Sequence, residues 1–309
     1  MSANSRPIGA LLLFLTTLTG CYERAGGDTS APQKPVVAVS IFPVASLVDQ
    51  LTGDWAEVVT LLPPGTSPHS AGMSADQVRT VSRAKLLVVV GTGLDPWAEK
   101  AAVASGDKAP PILRFADLIA GATSGSGAPP ANNHLWLDPV LAKQFVSALA
   151  VKLEEQFPEH AAATRAAAER LASDLVKLDQ EYREQLAAVP QKELITFHNA
   201  FDLIAERYGL KILVRLTDIE LSPGAEVTPD KFREAIDAVR KYHLKTLYCE
   251  PEFPDQAIRA LQRETGAEVL TLDPEGSPAV IGFRTYQELM RKNLQTLVRG
   301  QSPHPGPLP

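Results

Sequence analysis

The sequence predicts an α/β fold of two lobes, each with a mostly parallel sheet flanked by helices, linked by one long α-helix. The first observation is the run from Pro158 to Val189, PEHAAATRAAAERLASDLVKLDQEYREQLAAV, which contains no glycine. Alanine and unbranched side chains are the strongest helix formers, and proline suits a first helical position. Leu171, Leu175 and Leu178 fall on one stripe, with charges on the other faces. At 1.5 Å per residue the run would be about 45 Å long, more than the width of a small domain. The other two observations are the flanks. On each side of the run, short apolar segments alternate with helical patterns, which favours parallel sheets with helices on their faces.

Taken in order, VVAVSI at 36–41 is a continuous apolar strand of the kind buried in parallel sheets. A helix follows at about 43–52, ending near Gly53, and AEVVTLL at 56–62 is the second strand. The loop PPGTSPHS leads to a helix capped by Ser74, and LLVVVG at 86–91 is the third strand. A helix from Asp95 and the strand ILRF at 112–115 complete the first lobe's pattern. Residues 121–133, GATSGSGAPPANN, read as a loop. Asp138 and Pro139 then cap a helix reaching about Gln156, before the long run. The second half gives strands at 193–197, 211–216, 246–250 and 268–273. Helices to about Tyr208, from Thr228-Pro229 to about Tyr242, and from about Arg284 to Val298 separate or follow them.

The N-terminus carries Arg6 and the short apolar run LLLFLTTL, followed by Leu18-Thr19-Gly20-Cys21. This is too short to span a membrane and matches an export signal. The tetrad resembles a bacterial lipobox, in which the cysteine becomes the lipidated first residue. With Cys21 lipidated, Cys249 has no disulfide partner and is expected as a buried strand residue. The resulting division is a signal and lipobox at 1–21, a flexible tether at 22–35 and an N-terminal lobe at 36–137. Bridging helices, including the long one, follow at 138–190, then a C-terminal lobe at 191–299 and a disordered tail at 300–309. At 309 residues the length suits two domains, and 45% hydrophobic with 21% charged residues is ordinary for a globular protein. A net charge of −6 and the lack of a basic stripe exclude nucleic acid as the expected partner.

Four side chains stand in equivalent places. His69 follows the second strand, His134 precedes the bridging helices, His198 ends the first strand of the second lobe, and Asp273 ends the last strand. Ligands of open α/β sheets bind beyond the carboxyl ends of the strands, so facing lobes would gather all four in one cleft. Three imidazoles and a carboxylate suit a divalent transition metal. Singly, each has an ordinary reading: a loop histidine is usually solvated, and an aspartate before proline is usually a cap. Their shared position argues for the metal. His160 and His243 lie in helical contexts without it, and His304 lies in the tail.

The strings PPGTSPHS, VVVGTGLDPWAEK, NHLWLDP, ITFHNAFDLIAERYGL, LYCEPEF and TLDPEG occur in this order. Together they strongly resemble the metal-binding solute receptors of bacterial zinc and manganese ABC importers, over roughly residues 36–299. The resemblance implies two α/β lobes, a single long linking helix and a metal held between the lobes. Carried over by position, the ligands are His69, His134, His198 and Asp273. It also implies a membrane permease as partner, attachment to the membrane through the lipid anchor, a monomer, and a periplasmic or cell-surface location. Many zinc members carry a His- and Asp-rich loop where this chain has only small residues at 121–133. Manganese members often have a carboxylate where His198 stands, and nitrogen ligands suit Zn2+ better than Mn2+. Zinc is therefore the expected cargo, with manganese the alternative. Glu250, also at a strand end, is either a rival fourth ligand or an acceptor for a ligand histidine's other N–H.

Two other functions compete. A long-helix receptor for siderophores or corrinoids would need an aromatic-lined pocket, and the chain is only 6% aromatic. A zinc hydrolase would need an open coordination position and a general base, but four protein ligands close the site and no H-E-x-x-H segment is present. An adhesin role is compatible with the same scaffold.

Overall fold

In a computed structural model of the chain, the described residues are 33–122, 132–218, 226–251, 256–276 and 282–302, besides Met1. Cys21, the export segment, most of the tether and the end of the tail lie outside them.

The first half builds one four-stranded parallel sheet from β1 (Val36–Val39), β2 (Glu57–Thr60), β3 (Leu86–Val89) and β4 (Ile112–Arg114), in the order β2-β1-β3-β4. Every residue of β1 and β3 is buried, as their unbroken apolar sequences require of central strands. Helices α1 (Phe42–Thr52), α2 (Ala75–Arg83) and α3 (Pro96–Ala104) connect them. Ser74 forms a full capping box with Gln77 at the start of α2.

One helix was not expected. α4 (Phe115–Ala122) follows β4 directly, with Phe115 and Ile119 buried. It is only eight residues long and begins on what reads as the strand's last residue, so its period is too short to register.

Asp138 caps α5 (Pro139–Gln156), its carboxylate accepting from Val140 N at 2.8 Å. The long run splits near its start: Pro158–His160 is a single 3-10 turn and α6 spans Ala161–Ala188. The stripe of Leu171, Leu175 and Leu178 is buried and extends through Thr164, Ala167, Tyr182 and Leu186. α6 is therefore packed along its length, against α5 and α1 as well as against elements of the second half.

The second half holds two parallel pairs, β5 (Glu193–Thr196) with β6 (Lys211–Arg215), and β7 (Thr246–Cys249) with β8 (Glu268–Thr271). β5 and β7 lie side by side. Helices α7 (Asp202–Tyr208), α8 (Pro229–Tyr242), α9 (Gln256–Thr265) and α10 (Tyr286–Gln301) pack around these strands. His243 closes α8 in the left-handed conformation, φ 54°. Cys249, expected to be buried, is only half-buried because it ends its strand.

α10 also runs further than expected, through Gly300 and Gln301. A side chain at position 300 would run into the Tyr248 hydroxyl and the Thr246 methyl group, so glycine is required there. The Gln301 amide donates to Glu193 O at 2.9 Å and accepts from Tyr248 Oη at 3.0 Å. These bonds hold the helix end against β5 and β7.

Two apolar cores result. The larger runs from the first sheet through α5 and α6 to Tyr248, Tyr286 and Leu297, and the smaller lies within the second half around Ile195, Val214 and Leu247. The two halves thus share a core along the long helix.

Candidate metal centre

The loop after β2 carries His69 and is pinned twice. The Gln77 side chain donates to Leu61 O at 3.1 Å, and the Trp97 indole donates to Pro68 O at 3.1 Å. His134 precedes the 3-10 turn Leu135–Leu137, and Asn132 prepares it. The Asn132 side-chain oxygen accepts from the backbone N–H of His134 at 2.7 Å and lies 3.2 Å from its Nδ1. The Asn132 side-chain nitrogen donates to Asn199 O at 2.8 Å, which links this turn to the segment after His198. His198 stands beyond the end of β5 in extended backbone, and Glu250 stands beyond the end of neighbouring β7. Glu250 Oε1 lies 2.7 Å from His198 Nδ1.

These elements bring the three imidazoles together. His69 Nε2 is 3.2 Å from His134 Nε2, and His198 Nε2 is 3.1 Å from the same atom. His134 and His198 are buried, and His69 is half-buried. A tetrahedral ion with Zn–N bonds of 2.0–2.1 Å needs its nitrogens about 3.3 Å apart, close to these separations. The tautomers also suit an ion. The acceptor oxygens of Asn132 and Glu250 face Nδ1 of His134 and His198, which favours the proton on Nδ1 and leaves the Nε2 lone pairs facing the common point.

The electrostatics agree with a set of neutral donors. Burial, then the proximity of His198, lowers the His69 pKa to about 4. Burial, then His198 and His69, holds His134 well below its ordinary value. Protons are therefore poor occupants of this position.

Asp273 lies beyond β8 but outside the group of ligand atoms that fall within 4.8 Å of one another; among the described residues that group is His69, His134 and His198. Its Oδ1 accepts from Glu275 N at 3.0 Å and Gly276 N at 2.8 Å, so the aspartate does cap its own turn. Among the described residues its Oδ2 is buried without a hydrogen-bond partner, as is Glu250 Oε2. Burial, with the nearby Glu250 charge adding to it, raises the Asp273 pKa. Two buried carboxylate oxygens with unused acceptor capacity are what a cation would satisfy.

Sequence reasoning did not anticipate Asn132 or Trp97. Asn132 had a local signal, since an asparagine two residues before a ligand can bond back to the chain. Trp97 reaches across 29 residues and had none.

The sequence profile described as "ZnuA: Zinc-uptake complex component A periplasmic" matches residues 37–300. The chain belongs to this family. One relative, a putative metal-binding protein of Thermotoga maritima, is 29% identical over 265 residues, covering 84% of this chain and 91% of its own length. The high-affinity zinc uptake system protein ZnuA of Paracoccus denitrificans is 27% identical over 306 residues, covering 85% and 90%. Among solved structures, the Zn(II)-bound ZnuA-like domain of Streptococcus pneumoniae AdcA superposes with a TM-score of 0.71 at 25% identity, covering 87% of this chain and all of that one. Family membership makes the chain a solute-binding receptor component of a metal-uptake system.

Proposed function

We propose that this chain captures a divalent transition metal, zinc in preference to manganese, outside the cytoplasm and delivers it to the membrane permease of an ABC importer. The observation that carries this reading is the convergence of three imidazoles, with Nε2 of His69 and Nε2 of His198 each at tetrahedral spacing from Nε2 of His134. In this reading His69, His134 and His198 hold the ion as cargo. Asp273 supplies the fourth ligand through Oδ2, and Glu250 orients His198 rather than binding the metal. The N-terminal lobe (36–137) and C-terminal lobe (191–299) each contribute ligands, and the bridging helices (138–190) keep them in register. Four protein ligands leave no open position for a reacting water, so the chain is a receptor without catalytic turnover. It acts as a monomer.

The test is elemental analysis of protein purified without added metal, followed by zinc–manganese competition. One zinc per chain, displaced poorly by manganese, is expected. Protein that takes up neither ion on titration would overturn the reading.

The Leu18–Cys21 tetrad carries a second part of the proposal, lipid attachment at Cys21 on the periplasmic or cell surface. One acyl chain binds membranes only marginally, so several chains would be needed for stable anchoring. Mass spectrometry of native protein should find a modified N-terminal Cys21. An unmodified Met1 terminus, or a Cys21 thiol that still reacts, would contradict it.

A further inference from the structure

Between the turn that carries His134 and the loop that carries Asp273 lies a seam of buried side-chain hydrogen bonds. Trp136 is fully buried, and its indole N–H donates to Pro274 O at 2.8 Å, one residue past Asp273. The ring of Trp136 packs 5.3 Å from the ring of His134. The backbone of the Trp136 turn is fixed in its own right, since its carbonyl accepts from Tyr286 Oη at 2.6 Å. On the other side Asn293 of α10 brackets Asp273. The Asn293 side-chain oxygen accepts from Asp273 N at 2.9 Å, and its nitrogen donates to Asp273 O at 2.6 Å. Asn293 continues β8 as a strand neighbour would, while Trp136 ties the loop back to the histidine turn.

We propose that Trp136 is a positioning residue for the metal centre. Through the Pro274 carbonyl it locks the loop bearing Asp273 onto the turn bearing His134, so that the carboxylate meets the ion already aligned with the imidazoles. The inference rests on the reading of this site as a metal centre with Asp273 as fourth ligand. The bond suits the task because the indole nitrogen is only a donor and the proline carbonyl only an acceptor, so the pairing admits one polarity. Asp273 Oδ1 is already committed to Glu275 and Gly276. With the backbone held by Trp136 and Asn293, Oδ2 is the carboxylate oxygen still uncommitted among the described residues, and it is the one the ion would take. Ligand supports of this kind typically change metal affinity ten- to a hundred-fold, roughly, when removed.

The experiment measures zinc dissociation constants by chelator competition for wild type, Trp136→Phe, Asp273→Asn and the double variant. Trp136→Phe should weaken zinc about ten-fold or more in the wild-type background. In the Asp273→Asn background the same change should cost less than about two-fold, because the group it positions no longer ligates well. A purely structural tryptophan would show the same loss in both backgrounds, and that result would overturn the proposal, as would unchanged affinity of Trp136→Phe. Trp55→Phe is the control. Trp55 stacks on His160 and packs against Phe157, its indole N–H has no partner among the described residues, and its replacement should leave affinity unchanged. Where Trp136→Phe does not fold, Tyr286→Phe releases the Trp136 carbonyl and is read in the same two backgrounds with the same criteria. Zinc binding that is lost in His198→Ala yet indifferent to Trp136 would refute the clamp alone. Binding indifferent to His198→Ala would refute the metal-centre reading itself.

Discussion

Zinc at about 1,000 times its dissociation constant should stabilise the wild-type protein by about 4 kcal/mol, and His198→Ala should remove most of that gain. The magnitude follows from mass action, because the three nitrogens converge only in the folded chain and come from segments 64 and 65 residues apart. His198 is the most consequential of the three to remove. It comes from the second half, its ring is buried, and its Nδ1 is already held by Glu250. Alanine there deletes one ligand and leaves the Glu250 carboxylate buried without its partner. For a chain of this size the wild-type shift would be roughly 10 °C in Tm. His243→Gly is the control: His243 ends α8 in a left-handed conformation that glycine adopts without strain, and the zinc-induced shift should survive intact. An equal shift in wild type and His198→Ala would remove His198 from the site.

The second large effect is on pH dependence. An ordinary histidine, with a pKa near 6.5, would make zinc affinity fall steeply below about that pH. The buried site moves this window. His69 is lowered to about 4 and His134 well below its ordinary value, both mainly by burial. The nitrogens of His69 and His134 therefore remain neutral at pH 6, and neither should cost the zinc-induced stabilisation between pH 7.5 and pH 6. It should collapse as the pH approaches 4. The metal-free protein has its own trend. Between the unfolded value near 6.5 and the folded value near 4, the unfolded state binds more protons at His69, so stability falls as pH falls through that window. Asp273 opposes this in part, because burial, and after it the Glu250 charge, raises its pKa and favours the folded state at lower pH. Thermal melts with and without zinc at pH 7.5, 6 and 4.5 read both trends. A loss of zinc shift between pH 7.5 and 6 that corresponds to more than one competing proton per zinc would contradict the burial argument.

The placement of the site was legible because it depends on topology. His198 and Asp273 stand just past apolar strands that any period count finds, and parallel sheets present their carboxyl ends to ligands. The long helix was legible from composition and from its leucine stripe, although its first residues form a 3-10 turn that propensity does not distinguish. What escaped was of two kinds. α4 is short and fused to a strand, so no period could develop. The supports of the site are side chains that meet backbone far away in sequence: Trp97 on Pro68, Trp136 on Pro274 and Tyr286 on Trp136. A tryptophan in an apolar run reads as core, which it is, and nothing local shows where its N–H points. The role of Glu250 was open in sequence between ligand and support. Its 2.7 Å approach to Nδ1 of His198, on the side away from the other imidazoles, favours the support.

The most direct test of the metal centre is a crystal structure of the zinc-loaded protein with data collected at the zinc absorption edge. A single anomalous peak is expected about 2.0–2.1 Å from Nε2 of His69, His134 and His198, with an Asp273 carboxylate oxygen completing a tetrahedron. A peak held by other residues, or a histidine cluster left without an ion in protein that carries zinc, would contradict it.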